Sequence, residues 1–251
     1  MSLLGAIVAS CLCGVLGLLV PRLIAAVPEP EPDLESESES DDLEPEPAQD
    51  VADKQLYVDI AAGPRLAPGS AAASAIVGVL IGAVVGLDWS LLFLVPLVPV
   101  GVALALIDWR TRLLPTWIIK RTYITLIPLV VIAALASGEP RLLLQRAAIG
   151  WAVLGGYYFL SWLVYPRGMG YGDVRLSGIL GIALGYLGFG EIVIGAMSGL
   201  LLGAVGGVLL SVLKVVDRKH NPFGPWMLVG GVVGIVLGPV YAAWAWGNLA
   251  G

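Results

Sequence analysis

Long apolar runs separated by short polar stretches occupy most of the chain. Seven such runs follow residue 69, and an eighth opens the sequence. A helix rises about 1.5 Å per residue, so a run of about 20 apolar residues crosses the hydrocarbon core of a bilayer. The pattern therefore predicts an all-α, polytopic membrane protein of about eight transmembrane helices, at residues 1–21, 70–87, 89–107, 122–137, 147–165, 176–189, 192–213 and 223–246.

The composition agrees with this pattern. Hydrophobic residues make up 58% of the chain and charged residues only 13%, whereas a soluble domain has about 25% charged residues. The 33 glycines also suit a membrane protein, because small residues allow membrane helices to pack closely. We expect the lipid bilayer to be a partner, and we expect no nucleic acid.

Most of the negative charge is confined to one segment. Residues 28–59 contain 13 of the 19 acidic residues and one lysine, whereas the rest of the chain has 13 basic and six acidic residues. Glu and Asp alternate there with Pro and Ser, so we expect a disordered interaction tail or solvated spacer. The sequence thus divides into an N-terminal transmembrane anchor at 1–27, an acidic segment at 28–69 and a multi-span core at 70–251.

The basic residues indicate the orientation of the predicted helices. If the first helix starts outside, the loops near 22–69, 108–121, 165–175 and 214–222 face the cytoplasm. Positively charged residues prefer that side of a membrane. This arrangement places 12 of the 14 basic residues inside, namely Arg22, Lys54, Arg65, Arg110, Arg112, Lys120, Arg121, Arg167, Arg175, Lys214, Arg218 and Lys219.

Two aspartates lie at the cytoplasmic ends of predicted helices. Asp108 ends a long apolar run, and a carboxylate at the membrane boundary is costly unless it is solvated or paired. Asp173 follows three alternating glycines in the stretch GMGYGD at 168–173. Glycine permits positive φ and close backbone approach, and irregular backbone at membrane depth is buried in protein or lines a wet cavity. A plain boundary charge and a flexible connector are the simpler interpretations, but the glycine pattern favours a shaped loop that delivers a carboxylate.

Both aspartates emerge on the same predicted face, which permits hydrolysis by two carboxylates. One stays ionised and takes a proton from water, while the other stays protonated and donates to the carbonyl oxygen of the substrate. This chemistry needs no metal and no other cofactor. Zinc sites fit the sequence poorly, because His220 is the only histidine and the two cysteines, Cys11 and Cys13, form no CxxC motif.

Three motifs, in order, resemble those of the type IV prepilin peptidases, which are GxGD-type membrane aspartic proteases. Asp108 followed by Pro115 is similar to the family's first aspartate motif with its LP ending. The stretch GMGYGDVRL at 168–176 resembles the family motif GMGxGDxKL, and NPFGP at 221–225 resembles the PFGP stretch that opens the family's last helix. The resemblance covers roughly residues 71–247.

The resemblance implies a membrane aspartic endopeptidase that removes the leader peptide of type IV prepilins or pseudopilins. Cleavage would occur at the cytoplasmic face of the bacterial inner membrane, after a glycine just before the pilin's hydrophobic helix. Asp108 and Asp173 would be the catalytic pair. The residues that would bind substrate or shape the loops are Pro115, Gly168, Gly170, Gly172, Arg175, Pro222, Phe223, Gly224 and Pro225.

The sequence departs from the family at two places. Arg175 stands where the family usually has lysine, which keeps the charge but changes the geometry. Many relatives carry a zinc-binding insert with CxxC pairs after the first helix and also methylate the new N-terminus, whereas this chain has its acidic segment there. We therefore expect no zinc and do not extend the resemblance to N-methyltransferase activity. An acidic segment could attract a basic leader through long-range electrostatics.

Two other functions stay open from the sequence. Membrane acids and interrupted helices also occur in proton-coupled transporters, although no inverted repeat is evident and both aspartates lie at the boundary rather than at the midplane. The chain could also be a non-catalytic structural subunit of a pilus or secretion machine. Proton-coupled uptake into vesicles would favour the transporter, and processing that is indifferent to both aspartates would favour the structural subunit.

Overall fold

A computed structural model of the chain describes residues 2–29, 56–166, 169–212 and 222–249. Every regular element in these ranges is an α-helix, which confirms the all-α prediction. Of the acidic segment that was predicted to be disordered, residues 30–55 lie outside the described residues. The expectation is wrong for residues 57–61 and 66–69, which are helical, because apolar residues such as Tyr57 and Ile60 are buried in the core. The helices are α1 (Leu3–Gly17), α2 (Val20–Ala25), α3 (Tyr57–Ala61), α4 (Leu66–Val85), α5 (Leu91–Thr111), α6 (Thr116–Ala136), α7 (Pro140–Val164), α8 (Tyr171–Leu187), α9 (Phe189–Val212) and α10 (Gly224–Leu249).

Six of the described helices, α4, α5, α6, α7, α9 and α10, are long and apolar enough to cross a membrane. The two other predicted spans correspond to the shorter helices α1, with 15 residues, and α8, with 17 residues. Large apolar side chains are exposed along the outer faces of the bundle, where a bilayer would cover them. The prediction of a polytopic membrane protein is therefore confirmed.

Two helices begin earlier than the apolar runs indicate. α6 begins at Thr116 and α7 at Pro140, six and seven residues before the predicted spans. The extra turns carry charged residues such as Lys120 and Arg141. A charged residue ends an apolar run but does not end a helix, because the long stems of Lys and Arg lie along apolar surface while their charged ends reach water.

Glycines bring neighbouring helices together in three close pairs, α1 with α4, α7 with α8, and α9 with α10. A Cβ atom at Gly5 would lie 2.5 Å from the carbonyl oxygen of Gly82, on the facing helix. A Cβ atom at Gly181 would likewise lie 2.5 Å from the carbonyl oxygen of Gly150. Side chains at these positions would force the helices apart, so the glycines set the interhelical spacing.

α5 is the most buried of the six candidate spans and packs against α1, α4, α6 and α10. Its C-terminal end lies near the start of α6, the start of α8 and the start of α10. α5 and α8 themselves have little direct backbone contact, whereas α6 and α10 pack against both. α6 and α10 therefore help to set the relative position of α5 and α8, together with a direct ring contact between Phe93 and Tyr186 at 4.9 Å.

The two described ends of the acidic segment meet. The Glu29 carboxylate accepts a hydrogen bond of 3.1 Å from the backbone N–H of Val58, in α3. Burial and the nearby Glu29 charge raise the pKa of Tyr57 above its usual value. Because α2 and α3 pack against each other and against α5, both ends of the segment are anchored beside the central helix.

Candidate active site

Asp108 lies in the last turn of α5 and is almost completely buried, with 4% of its surface exposed. The backbone N–H of Gly224, the first residue of α10, donates a hydrogen bond of 3.0 Å to Oδ2 of Asp108. A buried carboxylate is costly unless it receives such bonds. Gly224 therefore orients Asp108 and leaves its other oxygen, Oδ1, for a further partner.

Asp173 lies in the first turn of α8 and is also buried, with 7% of its surface exposed. The sequence indicated a loop at this position, but the helix already begins at Tyr171, after the N-cap residue Gly170. The backbone N–H of Asp173 donates to the carbonyl oxygen of Gly170 at 3.1 Å. An acidic side chain suits this turn, because the helix dipole is positive at its N-terminus.

The two aspartates meet although they are 65 positions apart in the sequence. Their carboxylates are close enough to interact electrostatically, and the Asp173 carboxylate also interacts with the Tyr158 hydroxyl. Tyr158 belongs to α7 and is 2% exposed. Sequence reasoning missed Tyr158, since an aromatic residue inside an apolar run gives no signal of a polar role.

The connection between α5 and α6 closes one side of the site. It turns at Arg112, which has a left-handed backbone with φ of 57°. The Leu114 side chain then lies between two glycines. A Cβ atom placed on Gly172 would lie 2.8 Å from Cβ of Leu114, and one placed on Gly224 would lie 3.5 Å from Cδ2 of Leu114. Pro115 is buried and is the N-cap residue of α6. Leu114 thus joins the Asp173 turn to the start of α10.

Arg175 links the start of α8 to α6. Its guanidinium donates a hydrogen bond to Oγ1 of Thr116, and its Cζ lies 4.7 Å from the centre of the Tyr171 ring. Its backbone carbonyl accepts a hydrogen bond of 3.0 Å from the Tyr123 hydroxyl. The sequence indicated Arg175 through the resemblance, whereas Thr116, Tyr171 and Tyr123 carried no signal.

The remaining predicted residues surround the start of α10. Pro222 is buried, and the Phe223 ring lies 6.1 Å from the Tyr158 ring. Pro225 lines an apolar groove between α4, α5, α8 and α10. Gly168 lies outside the described residues. The predicted site residues that the structure describes thus lie at the end of α5 and at the starts of α6, α8 and α10.

The apolar groove lies between α4, α5, α8 and α10. Its volume is about 200 Å³, and every side chain that lines it is apolar. On α5 the lining extends from Leu94 to Ala105, and on α10 from Pro225 to Ile235, which is about 15 Å along each helix. The lining residue nearest to Asp108 along α5 is Ala105, one turn before it, and neither aspartate lines the groove.

Comparison with known proteins adds independent information. Residues 94–216, which include both aspartates, match the type IV leader peptidase family. The chain is 33% identical over 103 residues to a prepilin leader peptidase/N-methyltransferase of Pectobacterium carotovorum subsp. carotovorum, covering 38% of this chain and 35% of that protein. It is 28% identical over 151 residues to the protein of the same name from Escherichia coli (strain K12), covering 56% and 59%.

A third relative, from Dickeya chrysanthemi and with the same name, is 31% identical over 158 residues, covering 57% of this chain and 50% of that protein. The matched region is thus between about a third and three fifths of the length of these curated relatives. No solved structure matches the chain.

Proposed function

We propose that this chain, which over residues 94–216 belongs to the type IV leader peptidase family, is a membrane aspartic endopeptidase that removes the leader peptide of type IV prepilins or pseudopilins. The observation that carries the proposal is the meeting of two buried aspartates, Asp108 and Asp173, inside the family match. The relatives' shared name supplies the substrate class.

The proposed reaction is hydrolysis by a carboxylate pair. The ionised member accepts a proton from a water molecule, whose oxygen attacks the scissile carbonyl carbon. The protonated member donates its proton to the carbonyl oxygen, which gives a neutral tetrahedral intermediate. The carbon–nitrogen bond then breaks as the leaving amine takes a proton from the protonated carboxyl and a hydroxyl of the intermediate gives its proton to the ionised one, which restores the pair. Two buried carboxylates that interact electrostatically favour the sharing of one proton on which this scheme depends.

The apolar groove supports a substrate whose scissile bond adjoins an apolar helix. Its lining offers no hydrogen-bonding side chain, so it suits aliphatic or aromatic side chains. Its lining reaches Ala105, one turn before Asp108, so a substrate segment whose side chains enter the groove would have its end near the carboxylates. We therefore propose that the groove receives apolar side chains from the first turns of the pilin helix.

The distribution of charge supports a site at the cytoplasmic face of the bacterial inner membrane. The end of the bundle with the aspartates also carries Arg110, Arg112, Lys120 and Arg121. Positively charged residues accumulate on the cytoplasmic side of membrane proteins. The proposal is confined to peptidase activity, because the matched region spans only part of relatives whose name includes a second activity.

The test is co-expression with a prepilin in a bacterial host that lacks its own prepilin peptidase. Leader removal is followed by gel mobility and by N-terminal sequencing of the product. We expect the wild type to cleave after the leader glycine, and we expect Asp108→Asn and Asp173→Asn to reach the membrane in normal amounts without cleaving. Asp88→Asn is a matched control, because Asp88 is exposed and lies at the opposite end of α5.

Each outcome has a distinct meaning. Normal cleavage by both asparagine variants would overturn the assignment of the catalytic pair. Cleavage that occurs equally in cells without this protein would favour a structural subunit. Failure of the wild type on a panel of prepilins would overturn the peptidase proposal. Proton-coupled uptake into vesicles that depends on the same aspartates would then favour a transporter.

A further inference from the structure

The two aspartates lie at the end of α5 and at the start of α8, whereas the ring contact between these helices, Phe93 with Tyr186 at 4.9 Å, lies at their opposite ends. α5 and α8 have little direct backbone contact, while α6 packs against both. The separation of the Asp108 and Asp173 carboxylates therefore depends on contacts made by other residues. Catalysis by a carboxylate pair is sensitive to that separation, because both groups have to reach the same water and the same carbonyl.

Arg175 makes the most extensive polar contact between α6 and α8. Its guanidinium donates to Thr116 Oγ1 at the first position of α6. One turn back on its own helix, the Tyr171 ring lies under the same guanidinium, with 4.7 Å between Cζ and the ring centre. The Tyr123 hydroxyl, two turns along α6, donates to the Arg175 carbonyl oxygen at 3.0 Å. A single residue thus engages α6 at two points.

The contacts of Arg175 do not point to a direct electrostatic role at Asp173. Residues two apart on a helix face in different directions, and in the described part of the chain Arg175 forms no ion pair with Asp173. The charged guanidinium instead stacks on the Tyr171 ring and donates a hydrogen bond to Thr116. A guanidinium is suited to both at once, because it is planar and donates from its edge.

Thr116 transmits the position of α6 to the Asp108 side of the site. It follows Leu114 and Pro115, and Leu114 contacts both Gly172, next to Asp173, and Gly224, the hydrogen-bond donor to Asp108. The bond from Arg175 therefore restrains the α5–α6 connection, whose Leu114 lies beside Gly172 and Gly224. Loss of the bond would let this connection and α8 move relative to each other.

We propose, on the basis of the proposed function, that Arg175 is a positioning residue that sets the separation of the two catalytic carboxylates through its bond to Thr116. It contacts neither substrate nor reacting atoms. Its effect is on kcat rather than on KM. The stack on Tyr171 restrains the guanidinium in the direction of Thr116.

The experiment measures kcat, KM and the pH profile of prepilin cleavage in detergent for Arg175→Met, Thr116→Val, their double variant and Arg175→Lys. Arg121→Met is the matched control, because Arg121 also lies over an aromatic ring, with its Cζ 3.8 Å from the centre of the Trp117 ring. It is exposed on α6 and does not join the two aspartate segments.

We expect Arg175→Met to lower kcat roughly a hundredfold with little change in KM, as a small misplacement of catalytic groups does. Thr116→Val removes the acceptor and lowers kcat about tenfold, and the double variant is no worse than Arg175→Met, because coupled residues are not additive. Arg175→Lys keeps a donor without the stack and recovers most of the loss. Arg121→Met stays within about twofold of wild type.

The pH profile separates positioning from a loss of folded enzyme. Asp173 interacts electrostatically with Asp108 and with Tyr158, and the interaction of a carboxylate pair separates the acidic and alkaline limbs of its profile. Carboxylates that move apart interact less. In Arg175→Met and Thr116→Val, the pH range between the acidic and alkaline limbs of the rate profile should therefore be narrower. Partial unfolding would scale the curve without changing its width.

Several results would overturn the proposal. These are a loss in Arg175→Met of less than twofold, losses in the two single variants that multiply in the double variant, a rise in KM with kcat unchanged, or an unaltered width of the pH profile. If Arg175→Met is not recovered from membranes, Thr116→Val carries the same test. Failure of the wild type to cleave prepilin would instead overturn the proposed function, and the positioning role with it.

Discussion

The backbone N–H of Gly224 donates a hydrogen bond to Oδ2 of Asp108, at 3.0 Å and across 116 positions of the sequence. This bond joins the start of the last helix to the end of α5. The amide can approach the carboxylate because Gly224 has no side chain: a Cβ atom there would lie 2.7 Å from the same oxygen and 3.2 Å from Cγ of Asp108. The glycine is therefore part of the support of the aspartate.

Gly224→Ala should impair catalysis because its methyl group would displace the Asp108 carboxylate. We expect kcat for prepilin cleavage to fall by roughly a hundredfold, with KM nearly unchanged. Gly69→Ala is the matched control, since nothing lies within 4 Å of a Cβ atom at Gly69. Full activity of Gly224→Ala, measured on equal amounts of purified protein, would mean that Asp108 does not depend on this contact.

The two glycines before Asp173 should differ in their tolerance of alanine. A Cβ atom at Gly172 would lie 2.8 Å from Leu114 Cβ, so Gly172→Ala should separate α8 from the α5–α6 connection and lower kcat more than tenfold. A Cβ atom at Gly170 would meet only ordinary contacts at 3.5 Å and beyond, and its φ of −69° suits any residue. Gly170→Ala should therefore keep activity within a few-fold, at the modest cost of alanine at an N-cap. Equal losses in both variants would contradict this difference.

Apolar runs were sufficient to predict the helices and their membrane character, because the bilayer imposes a strong constraint on composition. Apolar runs did not predict where a helix begins when its first turns carry charged residues. α6, for example, begins at Thr116, six residues before its apolar run. Asp108 and Asp173 were candidates from the sequence, since charges at the ends of apolar runs are conspicuous, and the structure buries both and lets them interact.

The supporting contacts could not be predicted in this way. Leu114, Thr116 and Tyr158 are ordinary residues in their local sequence, and their roles arise only from packing between distant helices. Gly224 was indicated by its motif, but the motif does not reveal that its amide donates to Asp108. Long-range contacts of this kind depend on the three-dimensional arrangement and leave no periodic signal along the chain.

Filling the apolar groove should weaken binding of the pilin helix without altering the carboxylates. Val232 lines the groove on α10, about two turns from Pro225. We expect Val232→Phe to raise KM for a full-length prepilin about tenfold and to leave kcat nearly unchanged, which corresponds to the loss of a few apolar contacts. A short leader peptide that keeps the scissile bond but ends a few residues beyond it, without the apolar helix, should show little change in KM.

Val205→Phe is the control for this substitution, because Val205 is exposed on α9, away from the groove. A lipid chain in the groove is the competing explanation of its apolar lining. In that case Val232→Phe would leave both kinetic constants unchanged for either substrate, and the groove would have no part in substrate recognition.

The acidic segment should raise the rate at which basic leaders are captured. Residues 30–55 contain 11 of the 19 acidic residues, and the contact between Glu29 and Val58 anchors the segment beside α5. Replacing the acids of residues 30–55 with Asn and Gln preserves length and leaves this contact intact. We expect kcat/KM at low salt to fall several-fold, and we expect the difference from wild type to vanish at about 1 M salt, where charges are screened within about 3 Å. Cleavage rates that are equal at every salt concentration would show that the segment is only a solvated spacer.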